Sequence, residues 1–166
     1  MAIEKGSMRE VISSVYQRLI KDEELLRLLK YKPRSSTYKD PLDVSLPDII
    51  GSTEYWNIVN ERILLTNKVD DLEGNSLCRL YISSGRRRAN GTYMASQQII
   101  IDAFVHESYQ SDLRSESIGD RLLELLALEY IEGSLGKFDY VRSDPASAPL
   151  QYQRFVHYFE YNDMKK

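Results

Sequence analysis

The chain has 166 residues, of which 42% are hydrophobic and 28% charged, with 8 glycines and 5 prolines. This composition is typical of a globular protein, and it excludes a collagen, a coiled-coil rod and a wholly disordered chain. The formal net charge is −3, so binding dominated by a nucleic-acid backbone is not expected, although a local basic patch is compatible with it. We expect a single domain over residues 1–166.

Cysteine content and hydropathy bear on the compartment. Cys78 is the sole cysteine, which leaves no internal disulfide and no cysteine-rich zinc site and fits a reducing compartment. No stretch approaches about 18 uninterrupted apolar residues, and the first residues have no apolar core of a signal peptide. We therefore expect no membrane association and synthesis in the cytoplasm.

The N-terminal third contains a helix followed by a long connection. Ser7 and Glu10 have the spacing of a capping box, and apolar residues then recur at helical spacing, so we predict one helix over 8–30 with a bend near Asp22. Three prolines over 31–55 predict an irregular loop. Its apolar side chains are candidates for packing on another subunit, namely Leu42, Leu46, Ile49 and Ile50. A first strand is predicted over 62–66.

Asn90-Gly91 is typical of a two-residue hairpin turn, because both residues tolerate positive φ. The implied register places apolar side chains opposite one another and opposite charges together, as in the pairs Ile82 with Ile99 and Arg79 with Asp102. From Ser83 to Gln98 the pattern becomes polar, so we predict a hairpin that projects from the core by roughly 20 Å.

The tip of this hairpin is the candidate contact surface. Its residues are Arg86, Arg87, Arg88, Asn90, Tyr93 and Met94. Guanidinium groups there fit the carboxylates of a neighbouring subunit or a passing phosphate backbone. A charged tip that merely keeps the strands soluble is the alternative. Twelve tyrosines are consistent with an interface, or equally with ordinary amphipathic strands.

The remaining residues predict a helix over 112–132, capped by Ser111 or Asp112 and ended near Gly133. A short strand over 138–141, a long strand over 151–161 and a frayed tail over 162–166 follow. The resulting fold is α+β: an antiparallel sheet over 56–161 with a long projecting hairpin and two main helices packed on one face.

Catalytic chemistry has no positive signal in the sequence. There is no phosphate-binding glycine loop, nucleophile elbow or zinc-binding helix motif, and His106 and His157 are far apart in the chain. Cys78 falls on the apolar face of its strand, which predicts an inert thiol. We therefore predict no catalytic, metal-binding or cofactor-binding residues and no enzyme, with a divergent nuclease as the hypothesis to test against.

The order of elements, together with the run 98–106 leading into 112–123, resembles the tail-terminator or tail-completion proteins of long-tailed bacteriophages. The stretches 39–47 and 55–58 are similar to those of neck proteins. The resemblance covers residues 8–160 in layout, and no active-site signature carries it. The loop over 31–55 is longer than in the shortest versions of the pattern, which leaves the choice between terminator and neighbouring neck component open.

The resemblance implies a ring, usually of six subunits, that caps the tail tube and joins it to the head connector or stopper. DNA would pass through its lumen without sequence-specific binding. It further implies a virion location after assembly in the host cytoplasm. In this chain, residues 83–98 would bridge subunits or touch the tube. Two alternatives stay open: another neck or head-completion adaptor, and a nucleic-acid-binding module that uses Arg86, Arg87 and Arg88.

Overall fold

The computed structural model describes residues 7–33 and 40–164. Its helices are α1 (Met8–Ile20), α2 (Glu23–Lys30), α3 (Tyr55–Arg62) and α4 (Arg114–Leu126), with a 3₁₀ helix at Glu107–Asp112. Its strands are β1 (Ile63–Leu64), β2 (Cys78–Asn90), β3 (Met94–His106), β4 (Asp139–Ala146) and β5 (Tyr152–Met164). The fold is therefore α+β, as the sequence predicts.

The five strands form one sheet in the order β1-β2-β3-β5-β4. The prediction of an antiparallel sheet is wrong at one edge, where β1 pairs with β2 in parallel over two residues. The other neighbours are antiparallel. A parallel pair needs a crossover connection, and residues 65–77 supply it by returning the chain to the start of β2. The predicted strand over 62–66 is shorter in the structure, where α3 extends to Arg62 and β1 covers Ile63–Leu64.

The apolar spacing of Tyr55, Ile58 and Val59 explains α3. These residues recur at three and four positions, which is a helical period. Ile58 and Val59 are buried, and Trp56 is exposed. The predicted loop over 31–55 thus ends in a helix. Residues 34–39 of that loop lie outside the described residues.

The predicted single helix over 8–30 is two helices. Asp22 adopts an extended conformation, and its side chain accepts a hydrogen bond from the Leu25 amide at 2.7 Å as the N-cap of α2. The same carboxylate contacts Arg121 of α4. A capping carboxylate inside the apolar pattern therefore ends one helix and begins the next.

The hairpin between β2 and β3 differs from the predicted register. Its loop has three residues, Gly91–Tyr93, between the closing pair of Asn90 and Met94, so the predicted two-residue turn is wrong. A bulge between Ser84 and Arg87 then shifts the register again, and Ile82 pairs with Ile101. Because the net displacement in the core is two residues, each side chain there stays on its predicted face.

Charge pairing follows this correction. Arg79 lies opposite Phe104 and binds Asp71 at 2.6 Å, so the predicted cross-strand pair with Asp102 is absent. The Asp102 carboxylate instead accepts from Arg154 of β5 at 2.6 Å. Arg79 and Asp102 therefore bind residues outside the hairpin. A register derived from the hairpin alone cannot predict these partners.

The second long helix begins later and ends earlier than 112–132. Leu113, with a φ of +58°, is the N-cap of α4 and makes no side-chain capping bond. Asp112 is bound by Arg114 instead of capping the helix. At the other end the Leu128 amide donates to the Phe138 carbonyl at 2.7 Å, which draws the chain out of the helix, and Gly133 lies in the following turn.

The C-terminal strands are longer than the sequence predicts. β4 covers Asp139–Ala146 and β5 covers Tyr152–Met164, so the predicted frayed tail over 162–166 is wrong as far as Met164. Residues 165 and 166 lie outside the described residues. The additional length matters because β5 pairs with β3 from His106 to Met94.

The main core lies between one face of the sheet and the helices. Its strand residues alternate along β2, β3 and β5: Cys78, Leu80, Ile82, Ile99, Ile101, Ala103, Val105, Phe159 and Tyr161. A smaller cluster on the opposite face packs Leu72 and Leu77 of the β1–β2 connection against Tyr81 and Phe104. The sheet is therefore covered on both faces near its base, while its outer end is more open.

Candidate assembly surface

The outer end of the sheet, which we call the arm, comprises residues 83–98. Along β2 the side chains from Arg86 to Asn90 are exposed, and so are those of the loop, including Tyr93 at 76%. The β3 side is half-buried, with Ser96 buried. The arm is three strands wide, because β5 pairs alongside β3 to its end. The arm is therefore not a two-stranded hairpin that projects alone, because β5 supports it along β3 and makes it stiffer.

The arm carries three consecutive arginines at its edge, Arg86, Arg87 and Arg88. Arg88 lies 3.8 Å from Glu160 in a loose pair. Within the described residues, Arg86 and Arg87 make no ion pair. Asn90 donates to Asn162 of β5 at 3.2 Å. Guanidinium groups held on a rigid strand without a partner are suited to carboxylates or phosphates on another molecule.

Two sheet edges are open in the described part of the chain. Beyond Leu80 and Tyr81, which pair with β1, the outer edge of β2 has no strand beside it. β4 forms the opposite edge. Each contains a register shift, at Ser84/Arg87 in β2 and at Tyr140/Arg142 in β4. Bulges of this kind limit indiscriminate strand pairing while leaving side chains available for specific contact.

The loop over 40–54 is held against α2 by a buried arginine and a glutamate. Arg27 donates to the carbonyls of Asp43 at 2.9 Å and Leu46 at 3.0 Å, and to the Asp48 carboxylate at 2.6 Å. Glu23 accepts from the amides of Ile49 and Ile50. Polar atoms of α2 therefore satisfy the loop backbone and fix its path.

Because the loop is anchored on α2, only some of its predicted contact residues are exposed. Ile49 and Leu46 are buried within the chain, and Leu42 is half-buried against the core. Ile50 is exposed, and the neighbouring Val44 is 96% exposed. The apolar pattern thus reflects packing on the chain's own α2 for part of the loop. A subunit contact by this loop stays a prediction, with Ile50 and Val44 available for it.

A groove lies between α4 and the β4–β5 edge, and we call it the α4–β4 groove. It encloses about 210 Å³. Its walls include Leu123 of α4 and Tyr140 and Phe155 of the strands, with Glu116 and Asp120 along the helix side. Gly119 leaves the helix without a side chain there: a Cβ would lie 3.1 Å from Cε1 of His157. The glycine lets helix and imidazole approach closely.

His157 lies in this groove with one ring nitrogen bound and the other unbound. Tyr140 donates to Ser143 Oγ at 2.9 Å, and Ser143 Oγ is hydrogen-bonded to Nδ1 of His157. Nε2 has no hydrogen-bond partner among the described residues. Burial lowers the pKa of His157 below its usual value, because the charged form loses hydration.

Cys78 is buried in the core. Burial raises the pKa of its thiol to about 12, in agreement with the predicted inert thiol. No carboxylate among the described residues binds Nε2 of His157, as an orienting carboxylate would in a hydrolytic triad. Over residues 7–33 and 40–164, no three His, Cys, Asp or Glu side chains converge as a metal site. In the same part of the chain, no helix is both long and apolar enough to cross a bilayer.

Sequence reasoning identified the exposed arm and missed the α4–β4 groove. The groove joins residues from two elements that are distant in sequence, and no local spacing reveals it. A weak signal existed in Gly119, since a glycine inside a strongly amphipathic helix often marks close packing. Its partner, His157, alternates with apolar residues on β5 and looked like one more sheet residue.

The fold is α+β, with an exposed arm at the outer end of its sheet. The YomW family model matches residues 22–161. The chain therefore belongs to the YomW family. No curated protein matches the chain.

A solved structure shares the architecture. The chain is similar to one in the virion of a native gene transfer agent particle, with a TM-score of 0.54 and 13% identity. The alignment covers 93% of this chain and 94% of that chain. At this identity the likeness shows a common fold.

Proposed function

We propose that this chain is a virion structural protein of a phage-type particle, and in particular a tail terminator. In this role, copies of the chain form a ring, with six as the expected number, that caps the tail tube and joins it to the head connector. DNA passes through the lumen without sequence-specific contact. Membership of YomW, a phage-derived family, and the fold shared with a virion chain over nearly its whole length support the proposal.

The observation that carries the proposal is the arm. Residues 86–90 lie on the paired strand β2 and Tyr93 lies in the loop that follows, and the side chains of all six are exposed. A polar extension of a sheet does not stabilise a monomer by hydrophobic burial. It is suited to contact with another subunit or with the tube, and a head-to-tail contact of two different surfaces is the kind that closes into rings.

Electron microscopy of the purified protein, alone and with polymerised tail tubes, tests this function. We expect ring-shaped particles and tubes capped at one end. The double variant R86E/R87E should cap far fewer tubes, whereas R9E, an exposed arginine of α1, should behave as the unmodified chain. Tubes that stay uncapped while the protein binds isolated head connectors would favour a neck adaptor instead.

A nucleic-acid-binding module is the second candidate, because Arg86 and Arg87 have no ion-pair partner within the described residues. It predicts duplex affinity that falls steeply with salt and is lost when Arg86, Arg87 and Arg88 are replaced by Ala. Salt-insensitive absence of duplex binding, measured by fluorescence anisotropy, removes this candidate. The net charge of −3 favours the absence of duplex binding. A mildly acidic lumen would let DNA slide, because it does not attract the phosphate backbone.

A further inference from the structure

The α4–β4 groove has the features of a receptor site that is empty in the single chain. Apolar side chains line it, and Gly119 opens space beside the helix. At its floor His157 is only 4% exposed, and its Nε2 has no hydrogen-bond partner among the described residues. A buried polar atom without a hydrogen-bond partner is destabilising. An occupant with an apolar body and a terminal hydroxyl, which can donate or accept, would relieve that cost.

The rim of the groove specifies the charge of its occupant. Glu116 and Asp120 are exposed on the helix side, and Asp120 makes no ion pair within the described ranges. The occupant should therefore bring cations next to its apolar group. Negative rim charge also disfavours acidic segments, since like charges at a contact repel each other.

The arm tip has this combination of groups. Tyr93 is 76% exposed, and its ring ends in a hydroxyl oxygen that can accept a hydrogen bond. Arg86 and Arg87 lie on the same arm and lack partners in the described chain. Tyrosine supplies large contact area at low entropy cost, which is why it is enriched at interfaces.

We propose that the α4–β4 groove receives the arm tip of a second copy of this chain. The Tyr93 ring packs against Leu123 and Phe155, and its hydroxyl hydrogen-bonds to Nε2 of His157 after the half-buried Leu123 side chain turns aside. Arg86 and Arg87 face Glu116 and Asp120. This inference rests on the proposed ring, and it assigns the two surfaces that meet in it.

The contact has to be between molecules. Along the sheet, His157 is level with Ile101, and Met94 at the arm tip is seven residues farther along β3. At about 3.3 Å per residue this is roughly 23 Å, so Tyr93 cannot reach the groove of its own chain. Because the arm and the groove are different surfaces, each copy offers one of each, and the association is heterologous.

Disulfide trapping tests the pairing directly. A Tyr93→Cys chain is mixed with a Leu123→Cys chain and oxidised mildly; Cys78 is fully buried and gives little background. The matched control replaces Leu123→Cys with Trp56→Cys, an exposed residue of α3, which packs beside β1 at the opposite edge. We expect the 93–123 dimer to exceed the 93–56 dimer by at least about tenfold. Equal yields, or no cross-link at any concentration, overturn the inference.

A graded series measures the chemistry by analytical ultracentrifugation. Tyr93→Phe keeps the ring and should weaken self-association about 3- to 10-fold, whereas Tyr93→Ala should weaken it by about 100-fold. R86E/R87E and E116R/D120R should each weaken association, and mixing the two variant chains should restore it between an acidic arm and a basic rim. No recovery in the mixture counts against the charge contact and overturns the assigned pairing.

Failure here is distinguishable from failure of the terminator role. Rings that cap tubes without a selective 93–123 cross-link would leave the function standing and refute the groove assignment. A selective cross-link in a protein that never caps tubes would support the groove and refute the terminator role.

Discussion

Replacing Arg114 with Met should remove much of the stability of this fold. The side chain is fully buried at the start of α4, and its Nη1 donates to the carbonyls of Leu28 and Tyr31 at the end of α2. Its Nη2 binds the Asp112 carboxylate at 2.7 Å, and the Asp112 side chain is itself only 4% exposed. The guanidinium therefore joins two helices and neutralises a buried charge.

The magnitude follows from what the substitution leaves behind. Met fills much of the arginine volume, so the cavity is small, but the Asp112 carboxylate stays buried without a counterion. Breaking a buried pair in this way costs about 3–5 kcal/mol. A domain of this size is stable by about 5–15 kcal/mol, so the variant should lose between about a fifth and all of its stability.

Urea unfolding followed by circular dichroism measures the loss. The double variant R114M/D112L removes both charges and should recover most of the free energy, because well-packed apolar replacements of a buried pair are often neutral. R9M, at an exposed position of α1, should stay within about 0.5 kcal/mol of the unmodified chain. A loss below about 1 kcal/mol for R114M, or a double variant no more stable than the single, would refute the reasoning.

Three further outcomes are expected. Because burial lowers the pKa of His157 in the folded chain, its contribution is present above its unfolded pKa of about 6.5 and is lost as pH falls through the folded value; urea unfolding from pH 7.5 to 5 should show this decline, and H157Q should flatten it. Gly91 has a φ of +80°, so G91A should cost about 1 kcal/mol in thermal unfolding, whereas G136A, which meets nothing within 4 Å, should be neutral or slightly stabilising; equal effects would contradict the assignment. R27M should cost about 2–3 kcal/mol and expose residues 40–54 to limited proteolysis, while K30M, which breaks an exposed pair with Glu54, should change little.

The sequence predicts elements well where one face of an element repeats. The long strands β2, β3 and β5 alternate clearly, and the even displacement of their register preserved the predicted inner face. Prediction failed where a single polar side chain overrode the repeat. Asp22 divided one amphipathic pattern into two helices by capping the second, and a capping role depends on backbone geometry that apolar spacing does not encode.

The candidate site likewise has one part that the sequence predicts and one part that it does not. The exposed arginines of the arm follow from local polarity, because a run of hydrophilic residues at the end of a strand pair has no place in a core. The α4–β4 groove could not be derived, since it depends on how closely α4 approaches β5 at Gly119. Likewise, the sequence predicts Leu46 and Ile49 as contact residues, but both are buried within the chain. Arg27 and Glu23 bind the backbone of their loop, and this long-range contact is not encoded in local spacing.

The position of β5 has a consequence for biosynthesis. Among the described strands it is the last to be synthesised, yet it lies inside the sheet between β3 and β4. Until it emerges, β4 has no strand to pair with and the inner edge of β3 stays open, so the nascent protein cannot complete its sheet. A chain truncated before β5 would therefore lack the strand that pairs with β3 along the arm.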